Sequence, residues 1–212
     1  FVRGVQERKP GYSAKVNEAE RDAVVERIAG LLAEQPDKSI MVVTFNSAQQ
    51  DYIAAALAES KDDGIVAAMN RDVEPLTVKN VETVQGDERD IVLFSMTYAP
   101  DAETGQRSNN FGPVARPGGE LRFNVAITRA REQVQIFASM HAADITIGKS
   151  TRPGVRDMKA YLAMAEEGVL PRVEAAPQGD DIFRDRVAEQ LRARGFEVEV
   201  GVGESEFAVD LA

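Results

Sequence analysis

Residues Gly118–Ser139 read GGELRFNVAITRAREQVQIFAS. The stretch predicts a helix over about Glu120–Arg131 that carries a Thr-Arg-Ala-Arg tip, followed by a buried strand over Val134–Ala138. On one continuous helix Arg122 and Arg129 stand seven apart and share a face. An arginine that leaves a helix on a small, rigid turn is placed to reach a phosphate on a neighbouring domain. Its guanidinium is always charged and offers forked donors to phosphate oxygens. In phosphoryl-transfer machines such a group stabilises the charge that develops in the transition state. The expectation is a chain that completes a nucleotide site rather than one that holds the nucleotide. The plain alternative is a solvated basic helix face, because exposed arginines are ordinary.

The same alternation of helix and strand extends outward from this unit. Asn17 with Glu20 forms a capping-box-like start, and Val24, Val25, Ile28, Leu31 and Leu32 recur with helical spacing to about Glu34. A turn at Pro36–Lys38 leads to Ser39–Phe45, SIMVVTF, a short apolar run of buried-strand type. Ser47 with Gln50 reads as a second capping box, and Ile53 and Leu57 give the next helix its buried stripe. Strands are expected over Leu76–Asn80 and Asp90–Thr97, then a long Asn-, Gly- and Pro-rich loop over Tyr98–Gly119, and a later helix over Val155–Glu167. A loop of that length in a compact domain is usually functional. Strands alternating with helices predict an α/β fold with a doubly wound parallel sheet. Residues 168–179, GVLPRVEAAPQG, lack periodicity and read as a linker. Beyond them Phe183, Val187 and Leu191 mark a helix, and Phe196–Val202 and Phe207–Leu211 resemble the first strands of another domain. Some thirty residues cannot bury a core of their own. The Phe1 start and the stop at Ala212 are read as those of a piece of a longer protein.

Composition narrows the function classes. The 212 residues carry a formal net charge of −10, which argues against a free-standing, high-affinity nucleic-acid binder. It leaves room for a domain that lends a few contacts to a cleft. There is no cysteine and a single histidine, His141, so disulfides, cysteine-ligated metals and histidine-rich metal sites are excluded. No run of eighteen apolar residues exists, so no membrane span is expected. An acidic, cysteine-free chain fits the cytoplasm.

Three further constellations carry chemistry. Thr83–Asp90, TVQGDERD, lies between two predicted strands, where Gly86 lets backbone approach a ligand and Gln85 and Glu88 offer hydrogen bonds. Its plain alternative is a polar turn with Gly86 at positive φ. Thr44 and Asn46 end a buried strand at the place where open α/β sheets bind ligands, although simple capping of the next helix reads equally well. Ala143–Ser150, ADITIGKS, imitates a phosphate loop with alanine in place of the first glycine. A working loop needs a glycine-rich turn and a following helix aimed at the phosphates. Here the interior is β-branched, Asp144 would repel phosphate, and Pro153-Gly154 interrupts any helix after Lys149.

Taken in order, these elements resemble the second RecA-like domain of superfamily 1 helicases of the 1B group. Ser39–Gln50 resembles motif IV, Val78–Thr97 motif V, and Glu120–Arg131 motif VI. The phrases FNSAQQ, VQGDERD and NFGPVARPGGELRFNVAITRAR look like those of large bacterial helicase-like proteins that end in a domain similar to Vsr endonucleases. The tail from Asp181, with GFEVEVGVGESEFAVDLA, is similar to the start of that α+β, restriction-endonuclease-like domain. The boundaries implied are 1–167 for the helicase domain, 168–179 for the linker and 180–212 for the truncated nuclease start.

The resemblance implies roles residue by residue. Arg129 would be the arginine finger on the γ-phosphate, and Arg122 the arginine that ties its helix to the other RecA-like domain. Gln85, Gly86, Glu88 and Thr128 would line the nucleotide and interdomain cleft. Thr44, Asn46 and Asn80 would lie along the nucleic-acid track, and Asp210 would be the first metal-binding aspartate of the nuclease. ATP and Mg²⁺ would be held mainly by a first RecA-like domain of the same parent chain, with a single strand of DNA or RNA as the other partner, DNA being preferred for the nuclease-like neighbour. Some relatives carry an arginine where Gln50 stands, and often Thr and Asp where Asn80 and Glu82 stand. The competing class is a degenerate, non-enzymatic motor domain that only scaffolds a complex.

Overall fold

The computed structural model describes residues 1–107, 110–168, 182–198, 200–202 and 209–211, with backbone alone for 182–186, 200–202 and 209–211. The chain divides into two compact units, Phe1–Gly168 and Val169–Ala212. In the first unit, α1 (Glu18–Glu34), β1 (Ile40–Thr44), α2 (Ser47–Ala58), α3 (Asp63–Met69), β2 (Thr77–Asn80), β3 (Arg89–Ser95), α4 (Gly119–Ile127), β4 (Ala130–Phe137) and α5 (Pro153–Glu167) follow one another. The four strands form one parallel sheet in the order β2-β1-β3-β4.

Side chains of a strand alternate between faces, and here both faces are apolar. Met41, Val43, Val92 and Phe94 turn to one face, where Phe123 of α4 and Val155, Met158 and Leu162 of α5 cover them. Ile40, Val42, Ile91 and Leu93 turn to the other, under Val24 and Ile28 of α1, Ile53 and Leu57 of α2 and Ile65 of α3. The expected α/β, RecA-like arrangement of a parallel sheet with helices on both faces is therefore present. Because α2 and α3 lie on one face and α4 on the other, the direction of winding reverses between β1 and β3. In open α/β sheets that reversal leaves a crevice at the carboxyl edge.

Polar networks fix the two edges of the sheet. At the carboxyl edge Glu20 of α1 is fully buried. Its oxygens accept from the Ser95 hydroxyl (2.7 Å), the Thr97 N–H (2.7 Å), the Ser139 hydroxyl (2.9 Å) and the Asn17 amide (3.1 Å). The ends of β3 and β4 are thereby tied to the start of α1. Thr97 has φ of 70°, a left-handed conformation that costs a β-branched residue strain and is held by that contact. At the amino edge Arg131 donates to both oxygens of Glu74 (2.6 Å each), to Asp90 (3.0 Å) and to the Ser39 hydroxyl (2.9 Å). The Arg131 fork lowers the Glu74 carboxyl to about 2.

Several sequence expectations are corrected here. α4 ends at Ile127, not near Arg131, and β4 begins at Ala130. The Thr128 hydroxyl and N–H turn back onto Asn124 and Val125 carbonyls, which closes the helix. The cap of α2 is Asn46, whose side chain accepts from the Gln49 N–H (2.7 Å), rather than Ser47 with Gln50. α3 was not expected at all. The loop after β3 contains a short 3₁₀ turn over Gly112–Ala115. In the second unit, α6 (Ile182–Ala193) precedes β5 (Val200–Val202) and β6 (Val209–Leu211), which pair antiparallel. The expected linker falls almost wholly on 169–181, outside the described residues.

Candidate functional site

The candidate residues divide between the two edges of the sheet. β3 and β4 start side by side, and the Arg89 N–H donates to the Arg129 carbonyl (3.1 Å). This brings the turn after α4 against the turn before β3. Arg129 sits there half-buried. Its Nε donates to the Val125 carbonyl (2.8 Å), one Nη to the Thr128 hydroxyl (3.0 Å), and the other faces Glu88 at 3.6 Å. So Arg129, Thr128 and Glu88 form one cluster, and the guanidinium is folded back onto the open carbonyls of its own helix end. That placement is favourable for a cation.

Gly86 has φ of 89°, in the region glycine adopts freely, and nothing lies within 4 Å of where its Cβ would stand. It turns the chain between β2 and β3 while Gln85, Gly86 and Glu88 stay exposed. Arg122 is not part of this cluster. It lies in the first turn of α4, and its guanidinium donates to the Pro117 carbonyl (3.1 Å). At about 1.5 Å of rise per residue, the length of α4 separates it from Arg129 by roughly 10 Å. The expectation that both share a helix face is therefore corrected, because the helix stops before Arg129.

The carboxyl edge holds Thr44, Asn46 and Asn80. Thr44 is fully buried, and its hydroxyl donates to the Asn46 carbonyl (2.8 Å) and more weakly to that of Lys79 (3.4 Å). Asn80 is 8% exposed. Its amide donates to Gln50 Oε1 (2.7 Å), and its Oδ1 accepts from the Glu82 N–H (2.8 Å). Gln50 in turn donates to the Val78 carbonyl (3.1 Å). Thr44 and Asn80 thus shape the strand ends from inside, and of the three only Asn46 is partly open. The Gln50–Asn80 bond, which joins α2 to β2, was missed by sequence reading. Long-range amide pairs leave no periodic signal.

The segment over Ala143–Ser150 does not wrap a phosphate. The Gly148 N–H donates to Thr151 Oγ1 (2.8 Å), the Gly148 carbonyl accepts from Arg156 (2.6 Å), and Asp144 pairs with Arg107 (2.5 Å). Asp210 lies on β6, and its side chain falls outside the described part. Among the described residues no group of three or more His, Cys, Asp or Glu side chains is placed to hold a metal ion. Among them, too, no helix is long and apolar enough to cross a membrane.

A family profile described as "AAA domain" matches residues 2–141. An uncharacterized ATP-dependent helicase of Mycoplasma genitalium is 34% identical over 149 residues, 68% of this chain and 13% of that protein. Its homolog in Mycoplasma pneumoniae is 31% identical over 183 residues, 84% of this chain and 15% of that protein. A Schizosaccharomyces pombe helicase required for RNAi-mediated heterochromatin assembly is 30% identical over 131 residues, 61% of this chain and 11% of that protein. Among solved structures, the C-terminal domain of a possible DNA helicase from a Lactobacillus is matched at 17% identity and a TM-score of 0.35, over 65% of this chain and 72% of that one. The chain spans about one-seventh or less of the length of these curated relatives.

Proposed function

Since the chain belongs to the AAA domain family, we propose that Phe1–Gly168 is the second motor domain of an ATP-dependent superfamily 1 DNA helicase. The observation that carries this reading is the Arg129 cluster: an arginine on a short turn, against Thr128, Glu88 and the Gly86 turn. ATP and Mg²⁺ would be held between this domain and a first RecA-like domain of the parent, which would supply the phosphate loop and the Mg²⁺ ligands. On closure Arg129 would exchange Glu88 and the Val125 carbonyl for γ-phosphate oxygens, which are stronger acceptors for a guanidinium fork. Its fixed charge would then meet the charge that builds on the phosphoryl group during transfer to water. Arg122, at the other end of α4, would contact the first domain. Gln85 and Gly86 would border the cleft.

Single-stranded DNA would cross the carboxyl edge. Asn46 would face it, while Thr44 and Asn80 act as positioning residues that hold the ends of β1 and β2. The helix and antiparallel pair of the second unit support reading 180–212 as the start of a Vsr-like nuclease domain, with Asp210 as its first metal ligand. The naming of the Mycoplasma relatives as ATP-dependent helicases supports the first part of this reading.

The test is the DNA-stimulated ATPase of the full-length parent. Arg129→Ala is expected to lower turnover by roughly 10³–10⁵, and Lys149→Ala to leave it near wild type. Loss with Lys149→Ala alone would show that Ala143–Ser150 is a phosphate loop after all. A parent without stimulated ATPase would put the non-enzymatic scaffold first, a reading to which Gln50 in place of an arginine lends some support.

A further inference from the structure

We propose that the cleft at the reversal between β1 and β3 binds one phosphodiester of a nucleic-acid strand through Arg8, Lys15 and Tyr98. The inference rests on the strand-track reading above and adds residues to which neither sequence nor relatives pointed.

The cleft has a volume of about 360 Å³ and is lined by Arg8, Lys15, Asn46, Tyr98, Asp101 and Gly112, among others. That size suits a small-ligand subsite. Asn46 follows β1 and Tyr98 follows β3, so the cleft sits where doubly wound sheets leave their crevice. Its outer wall is the amino-terminal segment, held by bridges of Gln6 to Asp101 and of Glu7 to Val16. Through the capping residue Asn46, the amino end of the twelve-residue α2 borders the cleft, and a helix amino end favours an anion.

The charged side chains that line the cleft are two bases, Arg8 and Lys15, and one carboxylate, Asp101. Asp101 is the carboxylate in the wall, and both of its oxygens are occupied. One pairs with the Lys15 ammonium, and the other accepts from the Thr104 N–H and hydroxyl (2.9 Å each). These contacts hold its carboxyl well below the usual range, so Asp101 stays charged and balances Lys15. Arg8 is exposed and has no ion pair among the described residues. The three charges leave one positive charge, which matches the single negative charge of a phosphodiester.

Tyr98 supplies the independent observation. It is 6% exposed and packed edge-on against Phe45 and Phe111, and among the described residues its hydroxyl has no hydrogen-bond partner. A buried hydroxyl without a partner is rare, because nothing offsets its loss of water. A Cβ on Gly112 would lie 3.0 Å from that hydroxyl, so the glycine leaves it without side-chain cover on that side. The hydroxyl is sealed from solvent in the free chain, so a phosphate oxygen would become its acceptor once the Gly112 turn gives way.

Anisotropy of a fluorescein-labelled oligo(dT) strand, titrated with the 212-residue chain at several salt concentrations, tests this. Arg8→Ala is expected to weaken binding and to reduce the slope of log K against log salt by about one. Tyr98→Phe should weaken binding about fivefold, the worth of one hydrogen bond, without changing the slope. It should not lower the melting temperature, since the hydroxyl bonds to no group among the described residues. A chain that binds the strand while both variants match wild type overturns this inference and leaves the strand track standing. No strand binding by wild type at low salt overturns both. Inorganic phosphate that displaces the strand from wild type but not from Arg8→Ala, at comparable concentration, would assign the site to free phosphate instead.

Discussion

Glu20 places a carboxyl group in the core of the first unit, and its chemistry sets a pH dependence. Burial raises its pKa from 4.5 to about 7, while the Ser95 hydroxyl, the Thr97 N–H and the Ser139 hydroxyl pull it back. Between those two values the folded chain keeps a proton that the unfolded chain releases. The stability Glu20 contributes is therefore complete below pH 4.5 and is lost as pH rises through 7, by up to about 3 kcal/mol. Urea unfolding of wild type and Glu20→Gln across that interval checks it: wild type should lose stability relative to the variant as pH rises. Parallel curves would show that the four donors keep Glu20 ionised throughout. Arg129 poses the opposite case. It is half-exposed and meets Glu88 at 3.6 Å, a pairing worth about 1 kcal/mol or less. Arg129→Ala should thus change the chemical-denaturation midpoint little, which separates any loss of ATPase from loss of fold. Asn17–Glu20 was legible as a cap from local spacing. Its reach to Ser95 and Ser139 was not, because those partners lie 75 and 119 residues away.

At the scale of elements, α4 is positioned by two glycines. A Cβ on Gly119 would stand 2.2 Å from the Val114 carbonyl oxygen, and one on Gly154 would stand 2.6 Å from the same atom and 2.7 Å from the Glu120 nitrogen. The starts of α4 and α5 and the turn over Gly112–Ala115 therefore meet backbone to backbone. Gly154→Ala is expected to destabilise by at least about 2 kcal/mol, since backbone atoms cannot move aside as a side chain can. Thermal unfolding would show it, and an unchanged melting temperature would mean the crossing is looser than described. The start of α1 followed from its cap and its apolar spacing. The end of α4 did not, because ELRFNVAITRAR is compatible with a longer helix. What stops it is β4 joining β3 at Arg89↔Ala130, a pairing that takes the chain out of helix by Ala130. α3 is seven residues long, too short for a helical period to stand out in sequence.

At the scale of the molecule, Phe1–Gly168 contains both faces of the sheet with the core cluster on each, and α5 closes with Gly168 at φ of 66°. A chain ending at Gly168 is expected to unfold in one cooperative transition near the wild-type melting temperature. A fall of more than about 4 °C, the upper end of what roughly 1 kcal/mol does in a domain of this size, would show that the second unit supports the first. Under the proposed function the purified 212-residue chain neither hydrolyses ATP nor unwinds DNA, and steady turnover by it would refute the reading as a second motor domain that needs its first. The sequence by itself determined the α/β class, the apolar strands and most helix starts. Those properties depend on the chemistry of neighbouring residues and on local periodicity. Only the tertiary structure decided that Arg129 and Arg122 part company along α4, that Thr44 and Asn80 turn inward, and that Arg8, Lys15 and Tyr98 share one cleft. Strand order and winding bring together residues tens of positions apart, and local spacing carries no record of that pairing.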